Sequence, residues 1–89
     1  MDIKDLRDKI DRIDTEILKL YEERMQIVKE IAEYKRNNNL PIFDKSREEQ
    51  KLNALQSAAG SENKDSIKEL FTVIMEQSKI RQENINNGK

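Results

Sequence analysis

Arg24 occupies a position where the helical pattern of the chain calls for an apolar side chain. Between residues 3 and 34, apolar residues recur at alternating intervals of three and four, and position 24 belongs to that series. Its own helix offers Glu23 and Glu30 nearby, but no acidic residue lies three or four positions from Arg24, on the same helix face. Burying a guanidinium without a counter-charge costs on the order of several kcal/mol. Three roles are therefore open for Arg24: it sets the register of a coiled coil, it extends its charged group to the edge of the apolar helix interface, or it binds an anion.

Lys35 and Arg7 are two further cations that could reach the same anion. Lys35 lies eleven residues after Arg24, which places it on nearly the same helix face, about 16 Å along the axis. Together they could bind one small anion, although the helix dipole alone also favours a lysine at this end. Arg7 lies about 25 Å from Arg24 along the helix. It could join them only from a second chain; otherwise it is an exposed helix arginine.

Five polar residues later in the chain could contribute to the same site. The stretch "DKSREE" contains Asp44 as a helix N-cap, followed by Arg47 and Glu48 in the first turns. Ser78 and Gln82 are one helical turn apart, where the period of the last helix calls for apolar residues. Taken singly, these residues are a cap, two surface charges and a polar pair at a helix interface. Together with the cations, they form a set suited to binding a small anion.

The composition excludes several kinds of chemistry and of partner. The chain has no cysteine and no histidine, which excludes thiol nucleophiles, imidazole bases and the usual zinc ligands, and we expect no metal and no cofactor. Charges of both signs are interspersed and the net charge is −1, so nucleic-acid binding is not indicated. No apolar run approaches the roughly 20 residues of a membrane span, and no signal peptide is evident. A cysteine-free chain of this kind fits the cytoplasm.

A single all-α domain is predicted over residues 1–89. The chain has two glycines and one proline, with abundant Glu, Lys, Leu, Ile and Ala, which favours helices throughout. The hydrophobic pattern predicts three helices, at about residues 3–37, 45–59 and 64–85.

Capping and turn residues support these predicted helix ends. Asp2 is a suitable N-cap for the first helix, and the stretch "RNNNLP" ends it, because asparagine favours turns and proline blocks continuation. Asp44 is a suitable N-cap for the second helix, which we expect to bury Leu52 and Leu55 and to stop at Gly60.

The first helix is too long for one chain to cover. It spans about 52 Å at 1.5 Å per residue, whereas a compact domain of this size is about 30 Å across. We therefore predict a homodimer in which the two long helices run antiparallel. If the helices cross near their middles, Arg7 of the partner subunit falls opposite residues 29–33, between Arg24 and Lys35.

Four stretches of the chain resemble the all-helical chorismate mutases. They are "LRDKID" at 6–11, "ERMQIVKEIAEYK" at 23–35, "LPIFDKSREE" at 40–49 and "SKIRQ" at 78–82. The resemblance covers nearly the whole chain in order. It implies an isomerase that rearranges the dianion chorismate to prephenate without a cofactor. It also implies an intertwined dimer with two active sites, each completed by the first helix of the partner.

The resemblance assigns roles to the residues that the pattern marks. Arg7 of the partner subunit, Arg24 and Arg47 correspond to arginines that bind the carboxylates of the substrate. Lys35 and Gln82 correspond to donors that hydrogen-bond the ether oxygen of the breaking C–O bond. With Arg24, these two donors are the predicted catalytic residues.

Three other residues complete the site that the resemblance implies. Glu48 and the backbone near Asp44 correspond to groups that contact the ring hydroxyl, and Ser78 to a group that assists at a carboxylate. Two alternatives stay open: a lyase on the same scaffold that removes pyruvate from isochorismate, and a non-catalytic dimeric helical module. The sequence also leaves open whether the chain works alone or as a domain of a larger enzyme.

Overall fold

Three α-helices and no strand make up the part of the chain that the structure describes. The computed structural model describes residues 2–87, with α1 at Ile3–Asn37, α2 at Lys45–Ala58 and α3 at Lys64–Asn86. The all-α prediction is confirmed, and α1 has both predicted ends. α2 ends one residue early because Ala59 is already extended, at φ −72° and ψ 150°.

Local capping explains why α1 and α2 begin where the sequence predicts. The Asp2 carboxylate accepts a hydrogen bond from the backbone N–H of Asp5, with Oδ1 and N 2.9 Å apart. Asp44 accepts from the N–H of Arg47 in the same way, at 3.0 Å. Each contact satisfies one of the N–H groups that a helix start leaves unpaired. Both predicted N-caps are therefore confirmed.

The end of α1 is a tight turn around Asn39, whose φ is 54°. Asparagine tolerates this left-handed conformation better than most residues do. The N–H of Leu40 donates to the carbonyl oxygen of Lys35 at 2.8 Å, which closes the helix as a Schellman motif does. This turn fixes the start of the connection to α2, residues 40–44, which is called the 40–44 loop below.

α3 is the central helix and packs against both α1 and α2. The buried side chains are Met25, Val28 and Ala32 on α1, and Met75 and Ser78 on α3. The α1 residues follow helical spacing, so they form one narrow face on the C-terminal half of that helix. The core of the single chain is therefore small and lies where α1 meets α3.

Leu52 and Leu55 of α2 are half-buried, so the prediction that this helix buries them is wrong for the single chain. The reason is that the backbone of α2 packs against α3 and, within residues 2–87, not against α1. One neighbouring helix covers only part of the apolar side of α2.

Much of the apolar series along α1 stays exposed in the single chain. Ile27, Ile31 and Tyr34 belong to this series and are 55%, 42% and 63% exposed. Every residue from 3 to 20 is also exposed. α1 thus has two apolar faces, one against α3 and another that the single chain leaves uncovered.

The uncovered helix gives the chain an elongated shape. Its dimensions are 55 × 27 × 14 Å, and its radius of gyration is 16.3 Å. A compact chain of this length has a radius of gyration of about 12 Å. Within residues 2–87, none of the helices is sufficiently long and apolar to span a membrane.

Candidate active site

A cleft of about 450 Å³ lies where the C-terminal half of α1, the 40–44 loop, the start of α2 and the C-terminal half of α3 meet. Its volume is in the range of about 300–1,000 Å³ that small-molecule sites occupy. The structure brings seven of the eight predicted site residues to its wall. They are Arg24, Lys35, Asp44, Arg47, Glu48, Ser78 and Gln82.

Arg24 is half-buried and is held by a hydroxyl group rather than by a carboxylate. Its Nη1 donates a hydrogen bond to Oγ of Ser78 on α3. The Ser78 hydroxyl donates in turn to the carbonyl oxygen of Ile74, at 2.8 Å. Ser78 therefore orients the guanidinium, while its own hydroxyl proton is engaged within α3. The positive charge of Arg24 has no carboxylate partner within residues 2–87.

Lys35 is half-buried, and the 40–44 loop holds its ammonium group. The Nζ atom donates to the carbonyl oxygen of Ile42 at 2.7 Å. An ammonium group has three N–H donors, so two stay available for a ligand. The backbone carbonyl of Lys35 also accepts from Leu40. Both ends of this residue are therefore tied to the same short loop.

The start of α2 places both a cation and two carboxylates in the wall of the cleft. The Asp44 carboxylate caps the helix by accepting from the N–H of Arg47. This carboxylate oxygen is therefore engaged in the cap of α2. The Arg47 side chain is exposed, and Glu48 is half-buried. Neither Arg47 nor Glu48 forms an ion pair with another described residue.

Gln82 is half-buried, and its side-chain oxygen has an unmet hydrogen-bonding need. Its Oε1 is buried and accepts no hydrogen bond from residues 2–87. The same is true of Oδ1 of Asn86, one turn further along α3. A buried polar atom without a partner costs about 1–3 kcal/mol. These two side-chain oxygens can therefore each accept a hydrogen bond from a donor outside residues 2–87.

Arg7 is the predicted site residue that the cleft of one chain does not include. It is exposed on the N-terminal half of α1. It precedes Arg24 by 17 residues, which is about 25 Å along a continuous helix. Its predicted role therefore depends on a second copy of the chain.

Two further cations, Lys51 and Lys79, line the cleft and were missed by the sequence analysis. The sequence did contain a signal for each. Lys51 lies one turn after Arg47 on α2, and Lys79 directly follows Ser78 on α3. With them, cationic residues outnumber carboxylates in the cleft wall by five to two. The cleft is therefore suited to an anion with more than one negative charge.

The chain is similar to known proteins over nearly its full length. The family model for chorismate mutase type II matches residues 6–83. The chorismate mutase of Methanocaldococcus jannaschii is 35% identical over 83 residues, which cover 90% of this chain and 83% of that protein. No solved structure matches the chain significantly.

Two larger relatives match through a small part of their length. The bifunctional chorismate mutase/prephenate dehydratase of Aquifex aeolicus is 51% identical over 47 residues, which are 53% of this chain and 13% of that protein. The protein of the same name from Buchnera aphidicola is 35% identical over 88 residues, 97% of this chain and 23% of that protein. The chain thus spans less than a quarter of either bifunctional relative.

The three-helix fold and the family match define an isomerase domain of the all-helical type. The chain belongs to the chorismate mutase type II family. This assignment confirms the prediction, made from four sequence stretches, of a family whose members convert chorismate to prephenate.

Proposed function

We propose that this chain rearranges chorismate to prephenate in the cleft described above, and that two copies of the chain build each site. The observation that carries the proposal is the meeting of Arg24, Lys35 and Arg47 in one cleft, without a carboxylate paired to any of them. Unpaired cations at a partly buried site are costly unless an anion neutralises them. Chorismate carries two carboxylates and meets that need.

Arginines would hold the two carboxylates of the substrate. The Arg24 guanidinium is already oriented by Ser78 and so loses little freedom on binding. Arg47 approaches from the start of α2, and Arg7 of the partner subunit from the far side. Arginine pairs with carboxylates through two parallel hydrogen bonds, which fixes orientation as well as charge. Such binding selects the folded conformer of the substrate in which the reacting carbon atoms are close together.

The rearrangement itself needs no group that exchanges protons or electrons with the substrate. One C–O bond breaks and one C–C bond forms within the same molecule, so every electron pair stays in the substrate. The C–O bond breaks ahead of C–C formation, and negative charge gathers on the ether oxygen. Lys35 and Gln82 would donate hydrogen bonds to that oxygen and stabilise the transition state more than the bound substrate.

Two groups at the start of α2 would recognise the ring hydroxyl. The half-buried carboxylate of Glu48 can accept the hydroxyl proton in a hydrogen bond. The Asp44 side chain is engaged as the cap of α2, so its residue would contribute through the backbone. These contacts orient the ring and take no part in bond making.

The exposed half of α1 supports a dimer. Leu6, Ile10, Ile13 and Ile17 lie on one stripe and are 46%, 56%, 50% and 58% exposed in the single chain. A helical segment without tertiary packing is marginal in water, even when it is built from good helix formers. A second copy running antiparallel would cover the stripe and carry Arg7 toward the cleft. The proposal includes an intertwined dimer and the predicted cytoplasmic location.

A continuous ultraviolet assay of chorismate loss, with identification of the product, tests this function. We expect prephenate to form and the protein to sediment as a dimer. Release of pyruvate from isochorismate, without turnover of chorismate, would assign the lyase activity instead. A folded dimer that converts neither substrate would be a non-catalytic module. A monomer that makes prephenate at full rate would reject the shared site.

A further inference from the structure

Lys79 has a defined contact in the structure but no role in the function proposed above. It is half-buried on α3, between Ser78 and Gln82 in the wall of the cleft. Its Nζ atom lies over the ring of Phe43, 4.8 Å from the ring centroid. This distance is inside the limit of about 6 Å for an attractive cation–π contact. The contact therefore joins α3 to the 40–44 loop.

The contact of Lys79 with Phe43 and the hydrogen bond from Lys35 to Ile42 both act on the middle of the 40–44 loop. Its start is fixed by the hydrogen bond from Leu40 to Lys35, and its end by the Asp44 cap of α2. Between these points, Phe43 is 47% exposed, so burial alone does not fix its ring. The residue before it, Ile42, provides the carbonyl oxygen that accepts from the Lys35 ammonium group. The Ile42 carbonyl belongs to the rigid peptide group that joins Ile42 to Phe43, so a backbone shift at Phe43 would move the acceptor that holds Lys35.

We propose that Lys79 is a positioning residue that acts on Lys35 through the 40–44 loop. Its ammonium group holds the Phe43 ring against α3, and the adjacent Ile42 carbonyl then keeps the Lys35 ammonium group aimed into the cleft. A preorganised donor stabilises developing charge without the cost of reorienting during the reaction. This inference rests on the proposed function, because it assumes that Lys35 acts on the substrate.

Lys79 could also act only as one more positive charge in the cleft, and Lys51 allows the two roles to be separated. Lys51 lines the same cleft from α2. Its side chain makes no hydrogen bond, ion pair or ring contact with residues 2–87. The variants Lys79→Met and Lys51→Met therefore remove equal charge from the same cleft, but only the first removes a contact with the loop.

We expect Lys79→Met to lower kcat by roughly 3- to 30-fold, the factor by which a cation–π contact shifts an equilibrium. Lys79→Arg should restore kcat to within about twofold of the wild type, since arginine makes the same contact. Lys51→Met should act mainly on KM, because it weakens attraction of the anion without freeing the loop. Normal kcat in Lys79→Met, or an equal loss of kcat in Lys51→Met, would overturn the proposal.

The variant Phe43→Leu tests whether the effect passes through the ring. If it does, the double variant with Lys79→Met should be no slower than the slower single variant, because both changes remove one contact. Multiplying losses in the double variant would show that Lys79 acts without Phe43 and would overturn the proposal.

Hydrogen exchange of the backbone amides at 38–44 tests the loop contact without any substrate. Lys79→Met should speed exchange in this segment, whereas Lys51→Met should leave it unchanged. Unchanged exchange in Lys79→Met would overturn the proposal even if the enzyme is active. If the wild-type protein does not turn over chorismate, the proposed function fails, while this experiment still decides whether Lys79 holds the loop.

Discussion

Replacing Lys35 with alanine should lower kcat by at least ~10²-fold, because this residue supplies charge at the oxygen where charge develops. The expected loss of kcat follows from the position of the Lys35 ammonium group. The Nζ atom already donates one hydrogen bond, to Ile42 at 2.7 Å, and is thereby held in the cleft wall with two donors free. A donor of this kind approaches an oxygen to about 2.8 Å.

Coulomb's law gives the size of the effect. At about 2.8 Å and an effective dielectric constant of about 20, a full charge and about half a charge attract by about 3 kcal/mol. Each ~1.4 kcal/mol changes a rate about tenfold, so losing the interaction slows the reaction roughly 10²-fold. This agrees with the ~10²–10³-fold effect of removing one preorganised donor from other active sites.

The assay is the continuous measurement of chorismate loss at saturating substrate, with circular dichroism to show that the variant is folded. Lys29→Ala is a suitable control, because Lys29 is an exposed lysine on the same helix and is not part of the cleft wall. A Lys35→Ala enzyme with kcat within about threefold of the wild type would refute the electrostatic role, because the interaction would then contribute less than about 1 kcal/mol.

Other changes test the remaining parts of the site. Gln82→Glu should be active only while the new carboxyl is protonated, so its activity should rise as pH falls from about 8 to about 5. A profile as flat as that of the wild type would contradict the role of Gln82. Inactive Arg7→Ala mixed with inactive Lys35→Ala should regain activity through hybrid dimers, in which one site has both wild-type residues. No recovery after proven subunit exchange would mean that the site is not shared. Arg24→Leu should lower kcat/KM by at least ~10²-fold through loss of a bidentate charge-assisted pair, while thermal stability is kept or raised because an unpaired half-buried charge is removed. Full activity in this variant would assign Arg24 to register alone.

The helix ends were predictable because the groups that determine them are local. Asp2 and Asp44 bond to N–H groups three residues away, so the sequence around each start contains the whole interaction. The end of α1 has the same property, since the turn at Asn39 links Leu40 to Lys35. Such contacts depend on spacing and not on the rest of the fold.

The faces of α1 were harder to predict, because two apolar faces lie side by side on this helix. Its periodicity points equally to Ile27 and Ile31 or to Met25 and Val28 as the residues that pack inside the chain. The structure buries Met25 and Val28, while Ile27 and Ile31 stay 55% and 42% exposed. The period of a helix gives the direction of a face but does not say which neighbour covers it.

Long-range contacts of single side chains were also beyond the sequence pattern. The Ser78 hydroxyl donates to Ile74 and accepts from Arg24, 54 residues away, and no local pattern predicts the second of these contacts. The contact of Lys79 with Phe43 likewise depends on how α3 lies against the 40–44 loop. Seven of the eight predicted site residues line one cleft in the structure, and their catalytic roles stay predictions.

The exposed N-terminal half of α1 makes the folding of this protein depend on its own concentration. Residues 3–20 stay exposed when a single chain folds. If a second chain covers these residues, folding and dimerisation are one coupled event. The concentration of active dimer then varies with the square of the chain concentration when chains are scarce. A cell that makes few copies would then have far less than a proportional share of the activity.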